Sequence, residues 1–108
     1  MTFVSRAPAW IAALSKDERN SINNGSFIAE RYKTSQLLAK YHAVIEHMEK
    51  QPRSATVDQA LAVLGVQVEL LREEQARIAE RAGEWHAYYS GCMAGDENWQ
   101  TGEPWRKP

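Results

Sequence analysis

From Thr56 to Met93 the chain carries no proline, and apolar residues return through that stretch at heptad spacing. Val57, Leu61, Leu64, Val68, Leu71, Ile78, Ala82, Trp85 and Tyr89 mark the repeat, with Gln75 its one interruption. This pattern predicts one long helix with a narrow apolar seam made for another helix. At a rise of about 1.5 Å per residue, Thr56–Tyr89 would span roughly 50 Å. A compact domain of about 100 residues has a radius of gyration of only about 13 Å. Such a helix must overhang its partner, bend, or be covered by a second chain. A homodimer burying the exposed seam, with the uncovered part near Trp85–Tyr89, is the expected solution.

The preceding sequence supplies the first partner. Pro8 and the run Ala9–Leu14 read as a short apolar helix, and Ser15-Lys16-Asp17-Glu18 has capping-box spacing for a new turn. Asn23-Asn24-Gly25 reads as a break, with Ser26 capping the next helix. Phe27–Lys50 is then helical, with Leu37, Leu38, Tyr41, Val44, Ile45 and Met48 on one stripe. Pro52 stops it. The short loop Gln51–Ala55 favours antiparallel neighbours. Thr56-Val57-Asp58-Gln59 matches a second capping box, and Ser90-Gly91 is the expected terminus. The fold class is therefore all-α. Short helices occupy 8–23 and long antiparallel helices 26–50 and 56–91, within a helical domain 1–94 that assembles as a helical-bundle dimer. Residues 95–108 form an irregular aromatic tail.

One domain of 108 residues with a net charge of -1 invites neither nucleic acid nor anionic membrane through its bulk electrostatics. The charge is nevertheless divided. Residues 1–53 carry eight Lys/Arg against five Asp/Glu, and residues 54–108 carry five against nine. Opposite signs suit the packing of one half on the other. The single cysteine, Cys92, excludes an internal disulfide and fits a reducing cytosol. No segment reads as a signal peptide or a membrane span, so the expected location is cytoplasmic.

Candidate chemistry is sparse. His42, Glu46 and Glu49 share one helix face, a spacing that suits a divalent cation. Within it, Glu46-His47-Met48-Glu49 resembles the ExxE half of the helical MazG-type pyrophosphohydrolases. That resemblance implies a second acidic motif on the following helix. Glu69-Leu70-Leu71-Arg72 and Glu74-Gln75-Ala76-Arg77 each place arginine where its metal-binding carboxylate belongs. A solvated polar face is the simpler reading, and no cofactor or metal is expected. No P-loop, dinucleotide-binding or paired-cysteine motif occurs. Cys92 reads as a packed thiol. Arg72, Arg77 and Arg81 alternate with Glu69, Glu73, Glu74, Glu80 and Glu84, as on a solvent-facing side, with Glu73 and Arg77 one turn apart. Arg6, Lys16, Arg19, Arg31 and Lys33 make an alternative phosphate-binding patch.

The aromatics point elsewhere. Trp99 and Trp105, two of four tryptophans, lie in the tail, where a disordered segment should be poor in aromatics. Either the tail packs back near Trp85, Tyr88 and Tyr89, or these residues anchor a partner. The sequence thus predicts a small non-enzymatic protein-binding module. Its candidate interface comprises Trp85, Tyr88, Tyr89, Trp99, Trp105, Glu69, Glu73, Arg77 and Glu80. In size and lack of motifs the chain resembles small accessory proteins of bacteriophages and mobile elements, anti-CRISPR inhibitors among them. The resemblance implies steric occlusion of a host protein, with acidic residues such as Glu69, Glu73 and Glu80 competing for a basic groove. The alternatives are a nucleic-acid-binding or regulatory helical protein, and a metal-dependent pyrophosphohydrolase-like enzyme.

Overall fold

A computed structural model describes residues 3–105. The described chain is mostly helical, in the order α1 (Ala9–Ala12), α2 (Lys16–Asn23), α3 (Ser26–Glu49) and α4 (Ala55–Ala94). Among the described residues there is no strand, and one isolated antiparallel bridge pairs Glu97 with Pro104. The fold is all-α. Its contacts divide into two compact units: a terminal unit, Met1–Phe27 with Ala79–Pro108, and a hairpin unit, Ile28–Ile78.

In the terminal unit, local sequence sets each helix end. Pro8 is extended and precedes the helix instead of lying in its first turn; its carbonyl accepts from Ile11 N and Ala12 N. Ser15 closes a full capping box. Its Oγ accepts from Glu18 N at 3.1 Å, while Glu18 Oε1 accepts from Ser15 N at 3.0 Å. Those bonds hold the Glu18 carboxyl below its ordinary value. After α2, Gly25 takes φ 101°, a left-handed turn glycine adopts without strain, and Ser26 is already the first residue of α3.

The last turns of α4 differ from expectation. Ser90-Gly91 does not end the helix, which continues to Ala94. Gly91 serves close packing instead: a β-carbon there would lie 2.8 Å from Arg6 Nη1, and one on Gly95 2.7 Å from Arg6 Nη2. The bare backbone lets the arginine lie against the helix. Beyond it the tail is folded. Trp105 N donates to Asp96 O and Asn98 N to Glu103 O, each at 2.7 Å, closing a loop that returns Trp99 to the interior.

The hairpin unit is thinner. On α4 the less exposed positions are Val57, Leu61, Leu64, Val68, Leu71, Gln75 and Ile78, the heptad seam with its polar interruption included. On α3 they are Thr34, Leu38, Tyr41, Ile45 and Met48, a matching alternation of three and four residues. Gln75 is not a flaw in the seam. Its Nε2 donates to Ser35 Oγ at 3.0 Å, joining the two helices at one register. The expected α3 stripe was broader than the seam, because Leu37 and Val44 lie outside it and remain exposed.

Two other expectations are corrected here. Ser54, not Thr56, caps α4, its Oγ accepting from Val57 N, so the helix begins at Ala55. The divided charge produces no α3–α4 ion pair among the described residues. The pairs are local: Lys50–Glu46, Arg53–Asp58, Arg72–Glu69 and Arg77–Glu74. Arg77 chooses Glu74, one turn away at i−3, over the expected Glu73.

Candidate functional site

The most highly ordered chemistry lies inside the terminal unit. Glu97 is 1% exposed and accepts three hydrogen bonds: Ser5 Oγ and Tyr88 OH donate to Oε2 at 2.7 and 2.6 Å, and Arg6 N donates to Oε1 at 2.8 Å. Arg19, 3% exposed, donates from Nη1 to Tyr88 OH at 2.9 Å and Trp99 O at 3.0 Å, and from Nη2 to Ile11 O at 2.9 Å. Arg19 Nε has no partner. Tyr88 thus links the two charged groups, and the network joins residues far apart in the chain.

Around it pack Ile11, Trp85, Cys92 and Trp99, with Trp10, Ile22, Phe27 and Tyr89 against them. Trp99 meets Trp85 edge to face at 6.0 Å and Tyr89 at 5.4 Å. Arg81 lies 5.1 Å over the Trp10 ring, whose Nε1 donates to Glu84 at 2.5 Å.

The electrostatics follow from burial. Desolvation by itself would raise the Glu97 carboxyl, but the bonds from Ser5, Tyr88 and Arg6 N outweigh it and hold the carboxyl below its ordinary value. Burial, then the bond to Glu97, pushes the Tyr88 hydroxyl well above its ordinary value. Burial likewise pushes the Cys92 thiol up, which keeps it protonated and a poor nucleophile. The network is a clamp that ties the segment Ser5–Arg6, α2, α4 and the tail to one another. An open cleft of about 350 Å³ beside it is lined by Arg6, Pro8, Glu84, Ala87 and Tyr88.

The expected interface residues are dispersed by this arrangement. Trp85, Tyr88 and Trp99 serve the interior of the terminal unit, Tyr89 is half-buried, and only Trp105 of the five aromatics is largely exposed. The tail packs back because Trp99 fills the space between Trp85 and Tyr89. In the same unit Glu80 is exposed. In the hairpin unit Glu69, Glu73 and Arg77 are exposed, with Glu69 beside Arg72 at 3.8 Å and Arg77 beside Glu74 at 2.6 Å. Arg19 is withdrawn from the expected phosphate patch by its burial. Glu46 pairs with Lys50 at 3.7 Å, and among the described residues no three His, Cys, Asp or Glu side chains converge to hold a metal ion.

The surface that sequence reasoning missed lies on the hairpin unit. Leu37, Lys40, Tyr41, Val44 and Leu64 line a shallow groove of about 250 Å³ between α3 and α4, almost wholly apolar. Leu37 and Val44 fall one heptad apart, directly beside the seam. On α4 the row beside the seam on that side is Ala60, Gln67 and Glu74, and the exposed Val63 and Leu70 lie one row further round. The opposite flank carries Ser35, His42 and Glu49 on α3 and Asp58, Gly65 and Arg72 on α4, with Ile28 at its far end. The flank that holds this groove is the drier of the two. The breadth of the apolar stripe on α3 was the available signal.

Compared with known protein families, curated proteins and solved structures, the chain matches none. Among the described residues, no helix is long and apolar enough to cross a membrane.

Proposed function

We propose that the protein is a non-enzymatic binding module that engages helical protein surfaces through the dry flank of its hairpin. The single observation carrying this reading is the apolar groove between α3 and α4, where Leu37 and Val44 are exposed beside half-buried Tyr41 and Leu64. A helix pair left alone in water gains nothing from such residues, whereas a docked helix buries them at about 25 cal/mol per Å². The buried clamp has the complementary part: it joins Ser5 and Arg6 to Tyr88 and Glu97. In this reading the docked module covers a surface that its target uses, and Glu69 and Glu73 lie on the polar side of α4, away from that contact. That is the steric occlusion practised by the phage-encoded inhibitors the chain resembles in size.

Affinity capture from the source cell, comparing the unaltered protein with Leu37→Glu, tests the proposal. The captured set, further copies of the chain included, should be lost in the variant while far-UV circular dichroism stays helical. An unchanged set rejects the dry flank as the binding surface. Turnover of nucleoside triphosphates with Mg²⁺ that disappears in Glu46→Ala and Glu49→Ala would favour the enzyme alternative instead.

A further inference from the structure

We propose that the N-terminal segment Ser5–Ala7 and the tail Gly95–Trp105 form a two-part latch over the aromatic face of α4, and that the two parts open and close together. The latch opens without unfolding the helices beneath it. It lies within the terminal unit and does not involve the groove of the hairpin.

Each part is held mainly by the other. Among the described residues, every hydrogen bond of Ser5, Arg6 and Ala7 ends on Glu97 or inside the segment itself. Ser5 Oγ and Arg6 N donate to the Glu97 carboxylate, and Ala7 N donates to Ser5 Oγ at 3.1 Å. The dependence also runs the other way, because two of the three bonds that satisfy Glu97 come from this segment. A carboxylate 1% exposed is costly to keep in place once those donors leave.

The tail, moreover, is folded within itself. Beyond Gly95 its backbone bonds run between its own residues: Asn98 N to Glu103 O, Thr101 N and Gly102 N to Asn98 O, and Trp105 N to Asp96 O. It grips the rest of the unit through the Glu97 carboxylate, through Trp99 O on Arg19, and through the Trp99 ring between Trp85 and Tyr89. A loop closed on itself and attached through two nearby residues moves as one piece.

The joint points the same way. Gly95 N donates to Cys92 O at 3.3 Å, the last backbone bond from the tail to α4. Arg6 lies across that joint, its guanidinium against Gly91 on the helix and Gly95 beyond it. It forms none of the ion pairs found among the described residues, so it holds the joint by contact alone. Lifting the segment therefore frees the joint.

A closed latch shuts away Trp85, Tyr88 and Cys92, and an open one offers them. The stretch near Trp85–Tyr89, which the sequence left uncovered, is covered by the chain's own tail.

Cys92 is the single cysteine and is fully buried, so its labelling by a thiol reagent times the opening. In the unaltered protein the labelling rate should be nearly flat in low urea, as for a local opening that exposes little surface. Ser5→Ala and Glu97→Gln should each speed labelling about tenfold or more, with far-UV circular dichroism unchanged. Gly102→Ala disturbs the tail away from the segment: Gly102 has φ 75°, and a β-carbon there would lie 3.2 Å from Arg19 Nη1. It should nevertheless speed trypsin cleavage after Arg6 several-fold, read by intact mass. A cleavage rate that Gly102→Ala leaves unchanged overturns the coupling of the two parts, as does a labelling rate that Ser5→Ala leaves unchanged. Labelling of the unaltered protein that rises with urea as steeply as global unfolding overturns the latch itself, because Cys92 is then reached only by unfolding the helices.

Discussion

The two units are held together by opposite means. The terminal unit is closed by a buried polar clamp, in which Ser5, Arg6, Arg19, Tyr88 and Glu97 meet across long stretches of chain and aromatic rings fill the space around them. The hairpin unit is closed by a periodic seam with one polar crossing, Gln75 to Ser35, and keeps an apolar flank in the open. The clamp turns its polar groups inward. The seam is sparing inward and generous outward.

The largest blow to this contrast falls on the clamp. Glu97→Ala leaves the donors of Ser5, Arg6 and Tyr88 without their acceptor and Arg19 without its linked carboxylate. It should cost about 3–5 kcal/mol, read as a shift in the urea midpoint followed by tryptophan fluorescence. Trp99→Ala should cost a similar or slightly smaller amount, about 3–4 kcal/mol, by opening a cavity beside Trp85 and Tyr89.

The pH dependence of stability sharpens it. Glu97 is held below its ordinary 4.5, so its contribution is present above pH 4.5 and is lost as pH falls through the lower folded value. Tyr88 is pushed above its ordinary 10.0, so stability is level below pH 10.0 and falls as pH rises beyond it. A thermal-denaturation series against pH should show both limbs, and Glu97→Gln should flatten the acid one.

Smaller effects are expected in the hairpin. Gln75→Leu completes the apolar seam and should change stability by no more than about 1 kcal/mol, at the cost of the register that Ser35 and Gln75 define. Arg77→Ala removes only an exposed pair with Glu74 and should change the same midpoint by less than about 0.5 kcal/mol.

These differences also explain what could be read in advance. The seam of α4 was legible because heptad spacing is a local property of the chain, and Ser15 and Glu18 announce their capping box within four residues. Arg19 and Glu97 were not legible. Each sits in a polar stretch that reads as solvent-facing, and only the folding of the tail brings Glu97 onto Tyr88. Ser54 outcompeted Thr56 as the cap because the helix already begins at Ala55, and its hydroxyl accepts from Val57 N, the amide of the third helical residue. Trp85, Tyr88 and Trp99 were recognised as aromatic anchors, but periodicity does not tell whether an anchor fills its own interior or another's. Leu37 and Val44 were on the page as part of a stripe. Their exposure became visible only when α4 was seen to cover one side of it.

Hydrogen–deuterium exchange at several protein concentrations tests the central contrast most directly. Amides of α2 and of Trp85–Cys92, held under the clamp and its aromatic shell, should be the better protected, and those along Leu37–Val44 and Ala60–Leu70 should exchange faster at every concentration. Faster exchange in the terminal unit than in the hairpin would contradict the division of the molecule into a clamped unit and a thinner, seamed one.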